Sequence, residues 1–415
     1  MTFEKSYVII DWYVRKWIFF VNFVISYNTS VVGFFKVYKT YLQSRRPTKF
    51  ITFLGKRKIT MKRIFALLLC VCMAVAIVAC EAPAKEADYK LGMGIVVDLN
   101  SSATDNAQVD ATVATVVTDA DGKIVVCRID AVQNKMNIKD GAVEATKTFK
   151  TKMELGDDYN MAKYGQSMDW NGDGKVLEWY DQAKAFENYV VGKTAAEVEA
   201  IATKVVEGSG YVIAADEALL NAGCTIQITD FKAAVVKACK DEQGMSFKAV
   251  PGSFTLGVAA NSFVDAETKA ATAEENGTVK MYSDFAASVV VDGKIVASLN
   301  DAIQPSITIN AKGEIVEKTF KATKRELKED YNMAKYGASM DWNGDGKVLE
   351  WYQQSEAFSK HVVGKTAADV EAMATKVVEG AGYVISADDA LLSAGCTIQI
   401  TSIKAVVAKS VKNAR

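Results

Sequence analysis

The sequence predicts an α+β protein built of two tandem homologous domains, each an N-terminal antiparallel β-hairpin or sheet followed by C-terminal helices. Three observations carry this prediction. First, a 72-residue block, 158–229, recurs at 330–401 with a constant offset of 172 residues and only 13 differences. Second, DGKIVVCRIDAVQ from Asp121 corresponds to DGKIVASLNDAIQ from Asp292, which extends the repeat to the size of an ordinary domain. Third, each copy moves from alternating apolar residues to apolar spacings of three and four, the change from strand to helix periodicity. Solenoid units of roughly 20–50 residues must stack to bury a core. A repeat this long is expected to have a core of its own.

The first 60 residues contain no Ala and eight of the chain's 18 Phe, unlike everything after them. At Met61 the composition changes to MKRIFALLLCVCMAVAIVAC, a basic start, an apolar run and a small residue before Cys80. That is the pattern of a secretory signal. Residues 1–60 are read as a non-native extension from a misassigned start, with a membrane span over 17–38 as the other reading. Residues 61–79 are the signal, and 80–88 a polar tether. Residues 89–242 and 253–415 are the repeat domains, joined by a linker at 243–252. The ending Ile77-Val78-Ala79-Cys80 resembles the lipobox of bacterial lipoproteins. The resemblance implies a lipid on Cys80, attachment to the extracytoplasmic face of the cell membrane, and a compartment that permits disulfides.

In the first repeat, QVDATVATVV and KIVVCRI alternate about the turn residues DADG, a hairpin signal. FAASVVV and KIVASL do the same about Asp292-Gly293, and second turns follow at Asp140-Gly141 and Lys312-Gly313. Next, WYDQAKAFENYVVGKT has Trp179, Ala183, Phe186 and Val190 at helical spacing, with Gly192 placed to end the helix. Thr194 and Glu197 form a capping box for a helix expected to run to Gly208; Asp369 replaces that Glu in the second copy. CTIQIT alternates like a strand, and DFKAAVVKAC reads as an amphipathic helix.

Charge and composition exclude several functions. The formal net charge is −1, with no basic stripe interleaved with aromatics, so nucleic acid is not an expected partner. The single His, His361, has Tyr189 as its counterpart, which excludes His-based triads and His-ligated metals common to both repeats. VVGKTAA lacks the first Gly of a phosphate loop and reads as a helix end followed by a helix cap. Cys224 and Cys396 occupy equivalent positions and are expected in the core. Cys127 and Cys239 occur only in the first repeat, opposite Ser298 and Val411, either as one disulfide or as two independent thiols. No shared nucleophile–base set appears, so an enzyme acting through protein groups alone ranks low.

The most specific chemical motif is DWNGDGKVLEW, at 169–179 and 341–351. It resembles the first half of an EF-hand or dockerin calcium loop, with oxygen side chains at positions one, three and five and Gly at six. The resemblance implies Asp169, Asn171, Asp173 and the Lys175 carbonyl as calcium ligands, and Asp341, Asn343, Asp345 and Lys347 in the second copy. Position twelve, where the bidentate acid belongs, holds Tyr180 or Tyr352, so Glu178 and Glu350 at position ten are the candidate closing acids. A loop of solvated acids without metal is the alternative.

Each repeat also resembles the extracytoplasmic FMN-binding domains of lipoproteins from low-GC Gram-positive bacteria. The shared features are the DGKI hairpin, a helical middle, and small residues leading to Thr before a final helix. That resemblance implies FMN as a cofactor, with Thr225 and Thr397 as its carriers and Tyr164, Trp170, Trp179 or Tyr180 as stacking residues. The Asp of the family motif is replaced by Leu219 or Leu391, and a strand Thr is the other reading. A looser similarity to uncharacterised clostridial lipoproteins with EWY helices and GKT turns brings no activity. Two functions are therefore expected: a calcium-stabilised surface module that binds an unidentified small molecule or surface protein, or a flavin-carrying electron-transfer lipoprotein.

Overall fold

The computed structural model describes residues 85–143 and 148–415. Cys80, the signal, the N-terminal 60 residues and most of the tether lie outside the described residues.

The first repeat opens with three long strands, β1 (Ala87–Asp98), β2 (Asn106–Thr118) and β3 (Ile124–Lys139), then the short β4 (Ala142–Val143) and β5 (Thr148–Phe149). Helices α1 (Lys152–Leu155), α2 (Met161–Tyr164), α3 (Trp179–Val190) and α4 (Ala195–Glu199) follow. A small hairpin, β6 (Thr203–Val205) and β7 (Val212–Ala214), leads to α5 (Glu217–Asn221) and α6 (Thr229–Cys239). The second repeat has β8 (Met245–Ala249), β9 (Thr255–Val264), β10 (Gly277–Val291), β11 (Lys294–Ile303), β12 (Ser306–Ile309) and β13 (Ile315–Thr319). Its helical part holds α7 (Lys324–Leu327), α8 (Met333–Tyr336), α9 (Trp351–His361), α10 (Ala367–Glu371), hairpin β14 (Thr375–Val377) and β15 (Val384–Ser386), α11 (Asp389–Ser393) and α12 (Thr401–Lys412). The mixed α+β class with antiparallel sheets is as the sequence predicts.

One sheet has the order β4-β3-β2-β1-β8; the other runs β13-β12-β10-β9-β5, with β11 also on β10. The long strands are buried on both faces, so they read as nearly continuous apolar runs. Alternation decides where each side chain goes. Leu91, Met93, Ile95, Val109, Val113 and Met136 join Leu256, Val258, Met281, Phe285 and Ile303 in one cluster shared by both repeats. Residues on the opposite faces, among them Val116, Ile124 and Ile129, meet only the helices of the first repeat; Ala286 and Ile295 meet only those of the second. The layers are therefore helix, sheet, sheet, helix. Residues 85–415 form one compact unit.

Contacts between the repeats are reciprocal. Lys237 pairs with Glu326 at 2.6 Å and Lys409 with Glu154, and the two pairs exchange under the 172-residue offset. Such exchange is the mark of an isologous, twofold-like interface. Strand segments are shared as well: β5 of the first repeat pairs with β9 of the second. β8, inside the segment read from sequence as a linker, pairs with β1. Helix α6 lies directly on β1, because a Cβ at Gly94 would stand 2.2 Å from the Ala234 carbonyl oxygen.

The expected hairpins, turns, capping boxes and final helices are present. Two elements differ. The helix after Thr194 stops at Glu199, and Gly208 lies in the tip of hairpin β6–β7, since the β-branched run after Ala202 suits a strand. CTIQIT forms no strand in either copy. The backbone N–H groups of Thr225 and Ile226 donate instead to the side-chain oxygen of Gln182, at 2.9 and 3.0 Å, and Gln354 repeats this for Thr397 and Ile398.

Candidate functional site

The acidic loop follows the one-turn helix α2 and a 3₁₀ turn, and it runs into α3. Asp169 organises it. One carboxylate oxygen accepts from the Asp173 N–H at 3.1 Å and the other from the Gly174 N–H at 2.9 Å, while Asp173 accepts from the Lys175 N–H at 2.8 Å. The second copy has the same bonds at the same three distances. Gly172 and Gly174 both take positive φ, 72° and 75°, which lets the chain double back around these oxygens. Val176 is buried beneath the loop.

Asn171 faces two ways. Its Nδ2 donates to the Leu220 carbonyl at the end of α5, and its Oδ1 is sealed from solvent with no hydrogen-bond partner. Asn343 has the same arrangement against Leu392, and its Nδ2 also donates to Asp345. A buried amide oxygen left without a donor costs about 1–3 kcal/mol. It stands at loop position three, where a calcium loop supplies a ligand.

Glu178 is not turned into the loop. Its carboxylate accepts from the Met161 and Ala162 N–H groups at 2.9 and 3.1 Å, satisfying orphan donors of α2; Glu350 does the same for Met333 and Ala334 at 2.8 and 3.2 Å. At position twelve the Tyr180 hydroxyl donates to Asp157, and Tyr352 donates to Glu329. Those carboxylates, which accept the bond, hold both phenols above their ordinary titration range. Among the described residues, no three His, Cys, Asp or Glu side chains converge as a ready-made metal site. Asp169, Asn171, Asp173 and the Lys175 carbonyl, with their counterparts Asp341, Asn343, Asp345 and Lys347, are the loop oxygens that would hold a calcium ion, and the unbonded amide oxygens of Asn171 and Asn343 are compatible with one. Glu178 and Glu350 are not among them, being committed to α2 and α8.

The flavin residues are placed differently. Thr225 and Thr397 are 2% and 3% exposed, and their hydroxyls face Gln182 and Gln354 at 3.3 Å. A hydroxyl enclosed in this way does not fit an ester-linked flavin. Trp179 is core, packed edge-on against Phe231 with ring centres 5.6 Å apart. Trp170 is half-buried at the edge of the same core and packs against the exposed Tyr211, at the end of the β6–β7 turn, with centroids 5.3 Å apart. Trp342 and Tyr383 repeat the pair at 5.1 Å.

Several polar groups gave no sequence signal. Asp130 and Asp301 are buried beneath the first short helix of each repeat and accept from the Met153 and Arg325 N–H groups. Burial pushes Asp130 up to about 7 and Asp301 up to about 6. Lys152 sits over the Tyr159 and Trp179 rings, and Lys324 over Tyr282, Tyr331 and Trp351. Glu187 is buried and receives Arg415 at 2.9 Å, Arg128 at 3.6 Å and the Ile129 N–H. In the second repeat Ser359 stands at its position and accepts from Asn300. All four described cysteines are free thiols. Cys224 and Cys396 are core residues whose thiols burial pushes up to about 12, and Cys127 and Cys239 lie in the same apolar cluster. His361, half-buried at the end of α9, stands 3.3 Å from Asp388.

Among known proteins nothing matches: no family model, no curated protein and no solved structure corresponds to the chain. Functional conclusions therefore come from the site itself. Among the described residues, no helix is long and apolar enough to cross a membrane.

Proposed function

We propose that the protein is a lipid-anchored extracytoplasmic module whose two repeats act as paired, calcium-stabilised ligand-binding or structural units. One observation carries the calcium reading. In both copies the amide oxygen at loop position three is sealed and unbonded, while the N–H groups at positions five, six and seven donate to the loop aspartates. A cation at the loop centre would satisfy that oxygen and offset the charge of Asp169 and Asp173. The lipoprotein part rests on the sequence 61–80 and its Cys80.

The test is thermal unfolding of the full chain in EDTA and in millimolar calcium. An ion present at about 100 times its Kd stabilises by about 2.7 kcal/mol per site. The expected result is a calcium-dependent rise in Tm that Asp169→Asn with Asp341→Asn removes. An unchanged Tm in calcium refutes a structural metal site. Intact mass of the membrane-extracted protein checks the anchor: a lipid-modified Cys80 at the N-terminus is expected, and retention of residues 1–60 refutes the signal assignment. A flavin carried covalently on Thr225 or Thr397 has no comparable support, since both hydroxyls are enclosed.

A further inference from the structure

We propose that an open groove along α9 of the second repeat binds a zwitterionic α-amino acid with an apolar side chain, its ammonium and carboxylate each taking one member of the Glu356–Lys360 pair. The groove uses none of the acidic-loop oxygens, so this site is independent of the calcium reading.

The groove measures about 540 Å³, the scale of a small-molecule site. Its polar lining is Gln353, Glu356, Lys360 and His361, all on α9, and its apolar lining is Leu349, Ala357 and Ala394. Comparison of the two repeats singles this lining out. Of the 13 positions at which the 72-residue blocks differ, six fall in residues 353–361. Two of the six, Ser355 and Ser359, hold the buried Asn300. The other four are the polar lining, which stands where the first repeat has Asp181, Lys184, Asn188 and Tyr189. The apolar lining is unchanged, with Leu177, Ala185 and Ala222 at the matching positions. Exposure alone does not account for this pattern, because the exposed Thr375, Lys376, Val377 and Glu379 keep the residues of the first repeat. One apolar surface thus carries two different polar sets, the arrangement by which related sites select different ligands.

The polar set offers two donors and two acceptors. Lys360 Nζ lies 2.6 Å from Glu356 Oε1, and both side chains are more than half exposed. Such a pair is weakly held, so a ligand opens it at little cost. Gln353 spends its Oε1 on the Glu350 N–H at 3.0 Å, which leaves its Nε2 to donate. His361 turns Nε2 toward Asp388 at 3.3 Å, which leaves Nδ1 as its acceptor. A simple carboxylate that recruits Lys360 strands Glu356, and a simple amine that recruits Glu356 strands Lys360. An α-amino acid carries both charges on one carbon and exchanges the internal pair for two pairs with the ligand. Its side chain then meets Leu349, Ala357 and Ala394. Leu349 is itself seated against Gly395, where a Cβ would stand 2.4 Å from its Cδ1.

The test is NMR of the untagged full chain carrying carbon-13 in the histidine ring, where His361, the only His, gives a single Cε1–H signal. L-leucine, L-methionine or L-phenylalanine at millimolar concentration should shift that signal saturably. Isocaproate and isoamylamine, which are leucine without its ammonium and without its carboxylate, should bind on the order of 10-fold more weakly. Glu356→Gln and Lys360→Gln should each weaken the amino acid by a similar factor with the urea midpoint unchanged. Glu356→Lys with Lys360→Asn, the residues of the first repeat, should abolish the shift. No saturable shift with any of the three amino acids overturns the proposal. Equal binding of isocaproate or isoamylamine overturns the zwitterion, and a response that survives both single variants overturns the groove. None of these readouts involves the calcium effect on Tm, so either reading can fail while the other stands.

Discussion

Replacing Gln182 by Met tests how the segment before the last helix of each repeat is held. Gln182 is 0% exposed. Its Oε1 accepts from the Thr225 and Ile226 N–H groups and faces the Thr225 hydroxyl, and its Nε2 donates to the Leu177 carbonyl at 2.8 Å. Met has similar length and no hydrogen-bonding amide, so packing is largely kept and three backbone groups are stranded in the core. At ~1–2 kcal/mol for each stranded group, the loss is about 4 kcal/mol. For a unit of this size each kcal/mol corresponds to roughly 2–4 °C, so Tm should fall on the order of 10 °C. Gln354→Met removes the same bonds from Thr397, Ile398 and Leu349 and should cost the same. The assay is urea unfolding followed by Trp fluorescence, with calorimetry for Tm. A loss below about 1 kcal/mol in either variant would show that water or a backbone shift replaces the glutamine, and the reasoning would fail.

Other outcomes follow from the buried charges. Asp130 titrates near 7 in the folded protein, above its ordinary value of 3.8, mainly because it is buried. A raised folded pKa gives stability that is whole below the unfolded value and lost as pH rises through the folded one. The wild type should therefore lose stability between about pH 4 and 8, and Asp130→Asn should flatten that slope, as urea midpoints at pH 5 and 8 will report. An identical slope in the variant refutes the assignment. Arg415→Ala leaves buried Glu187 with the Ile129 N–H and only the longer Arg128 ion pair, and should cost on the order of 2 kcal/mol. In Glu187→Ser, the residue found in the second repeat, the further effect of Arg415→Ala should largely disappear, which a double-mutant cycle will measure.

Much of this architecture is legible in the sequence where local chemistry is decisive. Asp292-Gly293 demands a tight turn, Thr194 with Glu197 a helix start, and the alternation in QVDATVATVV a strand; all three are found. What was illegible depends on distant partners. CTIQIT alternates like a strand, yet its donors are taken by a glutamine 43 residues earlier, and nothing in its own composition reports that. The same holds at Glu178: its position in the loop suggests a ligand, and only the fold reveals two N–H groups of α2 in front of it. The alternation in QVDATVATVV and FAASVVV signalled strands, but not that one face of the long strands would be covered by the other repeat, where each repeat was expected to have a core of its own.

The reciprocal ion pairs and common core have an evolutionary consequence. In a homodimer every substitution appears on both sides of the axis, so a residue useful in one subunit must be tolerated in the other. Joining the halves in one chain removes that coupling. Phe263 and Tyr282 can stack at 5.3 Å where Asp98 and Asp110 face each other across the corresponding strands. Glu187 can hold Arg415 where Ser359 meets Asn300. The fused pair keeps the geometry of a symmetric assembly while each half accumulates changes independently.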